Sequence, residues 1–230
     1  ALAAAPLQLP AGAGAELVAQ HQAWVAATQA LLTAHDEHHP AATALDALER
    51  EVTRFGQLCV RMARAALGGA APAALASDQT VMTQLDAAVE TFAERLSRSA
   101  LSTLGSERLA ELLRIQRYYE TCARQALAAT PLQLPAGAGA ELVAQHQAWV
   151  AATQALLTAH DEHHPAATAL DAQTMEQHYQ ALKAGVLAAA AAGVLPLADM
   201  EALLGRYSAL RRAVQQAIKA RVRLHTQDPS

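Results

Sequence analysis

Aromatic residues are scarce in this chain, with two Trp, four Tyr and two Phe among 230 residues. Large rings therefore contribute little to a core, and much of the 53% hydrophobic content is alanine. Alternating β-branched runs are also missing, which excludes a sheet. The two cysteines, Cys59 and Cys122, lie far apart. That spacing excludes a disulfide framework and points to a reducing compartment. Neither sign of charge dominates, the formal net charge being −4, which argues against a nucleic-acid partner. The longest apolar run, Gly185–Ala198, is alanine-rich and broken by Pro196, too short for a membrane span. The first residues carry no basic stretch, so a signal peptide is not expected. A glycine-rich phosphate loop, an HExxH zinc motif and any recognisable catalytic constellation are missing as well. These absences predict a non-enzymatic chain with no obligatory cofactor.

What is present is alanine, the best helix former, and a repeat. Pro131–Ala172 reproduces Pro6–Ala47 letter for letter, 125 positions apart. Upstream the match continues with one mismatch, Ala5 against Thr130, and it ends where Leu48 faces Gln173. Solenoids need about three units, diverged around a pattern. Two identical copies read instead as one belonging copy and one addition.

Breaks and stripes predict an all-α chain. The first copy carries a helix from about Ala15 to His38, stopped by Pro40. The next, from about Ala41 to Leu67, shows a heptad-like stripe of Leu45, Leu48, Val52, Phe55, Cys59, Met62 and Ala66. Gly68-Gly69 ends it. A third helix is expected after Ser77, read as an N-cap, with Val81, Leu85, Val89, Phe92 and Leu96 inward. A fourth spans about Ser106–Ala129 on Leu112, Ile115, Tyr119, Cys122 and Ala126.

The second copy supplies a fifth helix, Ala140–His163, whose stripe of Leu142, Trp149, Ala152, Leu156 and Ala159 is interrupted by Gln145 and His146. A sixth runs from about Ala166 to Ala192 on Met175, Tyr179, Leu182, Val186 and Ala189. The last, about Leu197–His225, carries Met200, Leu204, Tyr207, Leu210, Val214 and Ile218. Short connections imply antiparallel packing. The expected organisation is a duplicated helix segment, 1–44 (copy of 126–169), followed by three-helix units at 45–129 and 130–230.

The first unit resembles the PhoU family, and more closely the PhoU-like domain that follows the membrane part of bacterial sodium/phosphate cotransporters. The resemblance is carried by Leu45–Leu67, Leu85–Ser102 and Ser106–Ala126, with Met175–Ala220 as the closing helix pair. It is a pattern of helix lengths and residue types. It implies two PhoU-like three-helix units, to which the sequence repeat adds the duplicated N-terminal helix. It also implies a cytoplasmic regulatory domain at the inner face of the bacterial membrane, which contacts the transporter's membrane part or another copy of itself.

The family's acidic pair, an acidic residue followed four positions later by aspartate, would lie on one helix face and hold metal. Here Glu120 is followed by Arg124, and Arg211 and Gln215 stand at the second place. Both pairs are broken, which removes the ligands of a family-type metal cluster.

Two local features offer chemistry. His160, His163 and His164, with their twins His35, His38 and His39, sit three and four apart in HDEHH. That spacing suits Zn²⁺ or Ni²⁺ if the helix persists, although Pro165 frays it; a polar helix end, where His⁺ complements the dipole, is the simpler reading. A metal-binding bundle is accordingly the alternative function, and an engineered helical bundle another. The last helix is basic, through Arg211, Arg212, Lys219, Arg221 and Arg223, a solvated face or a surface for anionic lipid or an acidic partner. The surplus copy, finally, leaves one apolar helix face without a groove, which favours a swapped or helix-mediated homo-oligomer.

Overall fold

A computed structural model describes residues 41–98, 101–161 and 165–225, with the backbone alone at 41–43, 159–161 and 165–170. These residues form six helices and no strand. They are α1 (Ala41–Leu67), α2 (Pro72–Ser97), α3 (Thr103–Ala128), α4 (Ala140–Asp161), α5 (Pro165–Ala191) and α6 (Leu197–His225). The helix expected in the first copy lies outside the described residues.

Glycine and proline place most of the breaks. Gly69 and Gly193 take left-handed φ values of 76° and 72° after α1 and α5, a conformation that costs glycine little. Pro72 opens α2, where its missing N–H leaves no bond unmade. That start lies earlier than the expected cap at Ser77, because the alanines after Pro72 extend the helix backwards. Ser77 is thus an interior residue, and its buried hydroxyl finds no partner. Ser102 caps α3 by accepting from the Gly105 N–H at 3.1 Å.

Side-chain contacts give the helix directions. Arg61, late in α1, pairs with Asp78, early in α2, at 2.8 Å, so α2 returns along α1. Arg108, early in α3, pairs with Asp46 and Glu49, early in α1, at 2.8 and 2.6 Å. Further along, the Cys122 thiol donates to the Cys59 carbonyl at 3.7 Å. α1 and α3 therefore run in the same sense. α5 returns along α4, bringing Tyr179 to Trp149 and Gly185 to Gln145. Arg223 near the end of α6 reaches Glu111 near the start of α3 at 2.7 Å.

The widest helix interface is between α3 and α6, followed by α4 with α5 and α1 with α3. One continuous set of buried side chains runs through all six helices. The stripes expected on α1 and α3 are buried. On α6 the buried face differs from the expected stripe: Tyr207, Leu210 and Val214 are buried together with Leu203, Ala209, Ala213, Ala217 and Ala220, whereas Met200, Leu204 and Ile218 are only partly buried. Alanines let neighbouring backbones approach closely. Gly56 serves the same end on α1, where it faces the Tyr119 ring of α3.

Candidate functional site

The least ordinary part of this core is the place where α4, α5 and α6 meet. The α4 stripe is interrupted by Gln145 and His146, and the structure shows what those polar residues do. Half-buried His146 bonds through Nδ1 to the Tyr207 hydroxyl of α6 at 2.8 Å. The Tyr207 ring stands edge-on to Trp149, with centroids 5.3 Å apart. Trp149 in turn lies 6.5 Å from Tyr179 of α5, and the Arg211 guanidinium sits 4.8 Å over the Tyr179 ring. Arg211 also donates to Glu176 at 2.6 Å. One connected line of rings, imidazole and guanidinium thus joins three helices, combining edge-on aromatic packing with a cation–π contact.

The electrostatics suit hydrogen bonding without net charge. Burial pulls the His146 pKa below the ordinary imidazole value, because a low-dielectric site disfavours the charged ring. Burial raises the Tyr207 pKa for the same reason. At neutral pH both groups are uncharged. Two polar atoms beside them are buried without a hydrogen-bond partner, Trp149 Nε1 and Gln145 Oε1. An unmet buried polar atom costs about 1–3 kcal/mol, so these two sites destabilise the core that holds them. His146 also borders a surface groove of about 640 Å³ between α4 and the loops after α1 and α3, with Gly69, Leu132, Leu134 and Val150 among its walls.

The basic residues of the last helix differ in their local partners. Arg211 is held by Glu176 and Tyr179. Arg223 is held by Glu111 and lies 5.8 Å from the Tyr118 ring, and Arg221 donates to His225 at 3.2 Å. Arg212 and Lys219 are exposed. On α3, Arg114 pairs with Glu111 and Arg124 with Glu120, so the residue that breaks the acidic pair is itself tied to its neighbour. Most of these cations brace the bundle.

Of the histidine clusters, His35, His38, His39, His163 and His164 lie outside the described residues, and His160 is described by its backbone alone, in the last turn of α4. Among the described residues no group of three or more His, Cys, Asp or Glu is placed to hold a metal ion. No helix of the described residues is long and apolar enough to cross a membrane.

One buried charge had no sequence signal. Glu51 is only 4% exposed on α1. Arg54 donates to one carboxylate oxygen at 2.6 Å, while the other has no partner. Burial raises the Glu51 pKa against the lowering effect of Arg54.

Comparison with protein-family models, with curated proteins and with solved structures returns no match to this chain.

Proposed function

We propose that the chain is a non-enzymatic regulatory and interaction domain of the PhoU type, acting on a sodium-dependent phosphate transporter from the cytoplasmic side. The observation that supports this reading is the recurrence of one arrangement. α1, α2 and α3 follow one another as a helix, a returning helix and a third in the first direction, as the Arg61–Asp78 and Arg108–Asp46 pairs require. α4, α5 and α6 repeat it, with α5 returning past Trp149 and the His146–Tyr207 bond joining early α4 to α6. Two antiparallel three-helix units in tandem are what the resemblance implies. The described side chains offer packing, ion pairs and neutral hydrogen bonds, which suit a domain that works by contact.

The test is to read the coding sequence upstream of residue 1. Several apolar spans of about twenty residues there support a transporter's regulatory domain. A reading frame that opens at residue 1 and carries both copies overturns the transporter assignment. In that case the duplicated segment, with its HDEHH ends and an affinity for Zn²⁺ or Ni²⁺, becomes the leading reading.

A further inference from the structure

We propose that the outer strip of α5 and the turn after it receive the N-terminal repeat copy, residues 15–36, of a second molecule of this chain. The inference does not depend on the transporter reading.

The receiving surface is exposed and carries no charge. From Ala184 to Ala198 the sequence has no polar side chain. Leu187, Val194 and Leu197 are 44%, 55% and 66% exposed, and Ala184, Ala188 and Ala191 are exposed beside them. Three large apolar side chains within a charge-free strip form the kind of patch that marks an interaction site.

The occupant follows from the repeat. Residues 15–36 have the same letters as 140–161, which form α4. α4 buries Leu142, Trp149, Leu156 and Leu157; their twins are Leu17, Trp24, Leu31 and Leu32. α4 packs along the inner side of α5, with Trp149 beside Tyr179 and Gln145 beside Gly185, so the copy brings an apolar helix face of a kind this bundle already seats.

The copy has no matching surface on the helix that follows it. α5 offers Met175, Tyr179, Leu182 and Val186 as buried positions. Their counterparts in α1, counted from the shared repeat, are Arg50, Arg54, Gln57 and Arg61. Arg50, Arg54 and Gln57 are exposed, and Arg61 pairs with Asp78. Where α5 presents apolar side chains, α1 presents charge.

Reach also favours a second molecule. Arg64 holds the Leu157 carbonyl at 3.1 Å, and Ala41 lies about 35 Å back along α1 at 1.5 Å per residue. Leu187 lies farther on, because Gly185 packs beside Gln145 at the other end of α4. The link from Asp36 to Ala41 spans about 17 Å fully extended. A chain's own copy would have to lie taut along the charged strip of α1. Exchange between two molecules needs no such stretch and closes as a symmetric dimer.

Light scattering on the full chain, over a concentration series, tests the proposal. The expected result is a dimer mass, with both Leu187→Glu and Trp24→Glu weakening association at least tenfold while far-UV circular dichroism is unchanged. Ala191→Glu repeats the test on the same strip should Leu187→Glu fail to fold. A monomeric full chain overturns the proposal. So does a dimer lost in Trp24→Glu but kept in Leu187→Glu and Ala191→Glu, which would mean that the copies pair with each other. A monomer whose Leu187 strip instead binds phosphatidylcholine vesicles also overturns it and assigns the strip to lipid.

Discussion

At Gly56 the α1 backbone lies against the Tyr119 ring of α3, and the same substitution at two glycines should move stability in opposite directions. A Cβ at Gly56 would fall 2.5 Å from Cε2 and 2.9 Å from Cε1 of Tyr119, inside any tolerable carbon–carbon contact. Tyr119 is 4% exposed and has no open side to turn to. Gly56→Ala gains about 1 kcal/mol of helix propensity, but overpacking a filled core costs about 1–3 kcal/mol and occasionally more. The rigid ring places the cost at the upper end, so the net loss should be about 1–2 kcal/mol. Gly205, exposed in the middle of α6, would meet nothing within 4 Å of an added Cβ. Gly205→Ala should therefore stabilise by about 0.5–1 kcal/mol. Urea titrations followed by circular dichroism read both as shifts of midpoint at constant slope. Thermal melts should move by about 2–4 °C per kcal/mol for a chain of this size. If Gly56→Ala proved as stable as Gly205→Ala, the close α1–α3 contact would be refuted.

Other consequences follow from buried polar groups. Because the folded His146 pKa is depressed, its contribution to stability is present above the ordinary imidazole value and lost as pH falls through the folded one; His146→Gln should flatten the fall in urea midpoint between about pH 7 and 5. Glu51 has the opposite sign, its folded pKa being raised, so Glu51→Gln should gain on wild type as pH rises from about 4.5 to 7. Burial pushes the Cys122 thiol up to about 12 and raises Cys59 as well, so neither should react with Ellman's reagent in the native chain at pH 8 and both should react in urea; fast native labelling would contradict the packed α1–α3 seam. Calorimetric titration with zinc of the full chain and of a variant with His160, His163, His164, His35, His38 and His39 changed to Gln tests the HDEHH clusters: a metal role predicts heat in the first that is lost in the second, and no heat in either removes it.

Helix existence was legible because glycine and proline punctuate a chain with few other breaks. The α1 and α3 stripes were legible because large apolar residues recur there at three and four. α2 began earlier than expected because Ser77 looked like a cap, whereas Pro72 supplied the start without a side-chain hydrogen bond. The breadth of the buried α6 face was hidden, since Ala209, Ala213, Ala217 and Ala220 read equally well as surface or core. The ring and imidazole cluster was half legible. Gln145 and His146 stood out as polar residues interrupting a stripe, but the partner of His146 is sixty-one residues away on α6, and no local period encodes that distance. The partners of the basic α6 residues were not legible either. Their letters gave a run of cations, and the structure adds that Arg211 and Arg223 pair with Glu176 and Glu111, thirty-five and a hundred and twelve residues away.

The repeat shows most directly how little of a helix's surroundings its own letters decide. α1 opens with Ala41–Ala47, and the same seven residues, Ala166–Ala172, follow Pro165 at the start of α5. After that point one continues with Arg50, Arg54, Gln57 and Arg61 on the side where the other has Met175, Tyr179, Leu182 and Val186. Their shared start therefore leads to different neighbours. α1 keeps a charged strip, where Asp46 and Glu49 hold Arg108. α5 buries that side and leaves an uncharged outer strip around Leu187. The preceding copies are identical in sequence, and the copy before α5 is followed by a helix that presents apolar side chains where α1 presents charged and polar ones. The difference between the two lies downstream of the repeat, in the residues that follow it: if the exchange proposed above holds, changing Arg50, Arg54 and Gln57 to the Met, Tyr and Leu that α5 carries at those places should offer an apolar strip within the same chain and lower the dimer fraction seen by light scattering.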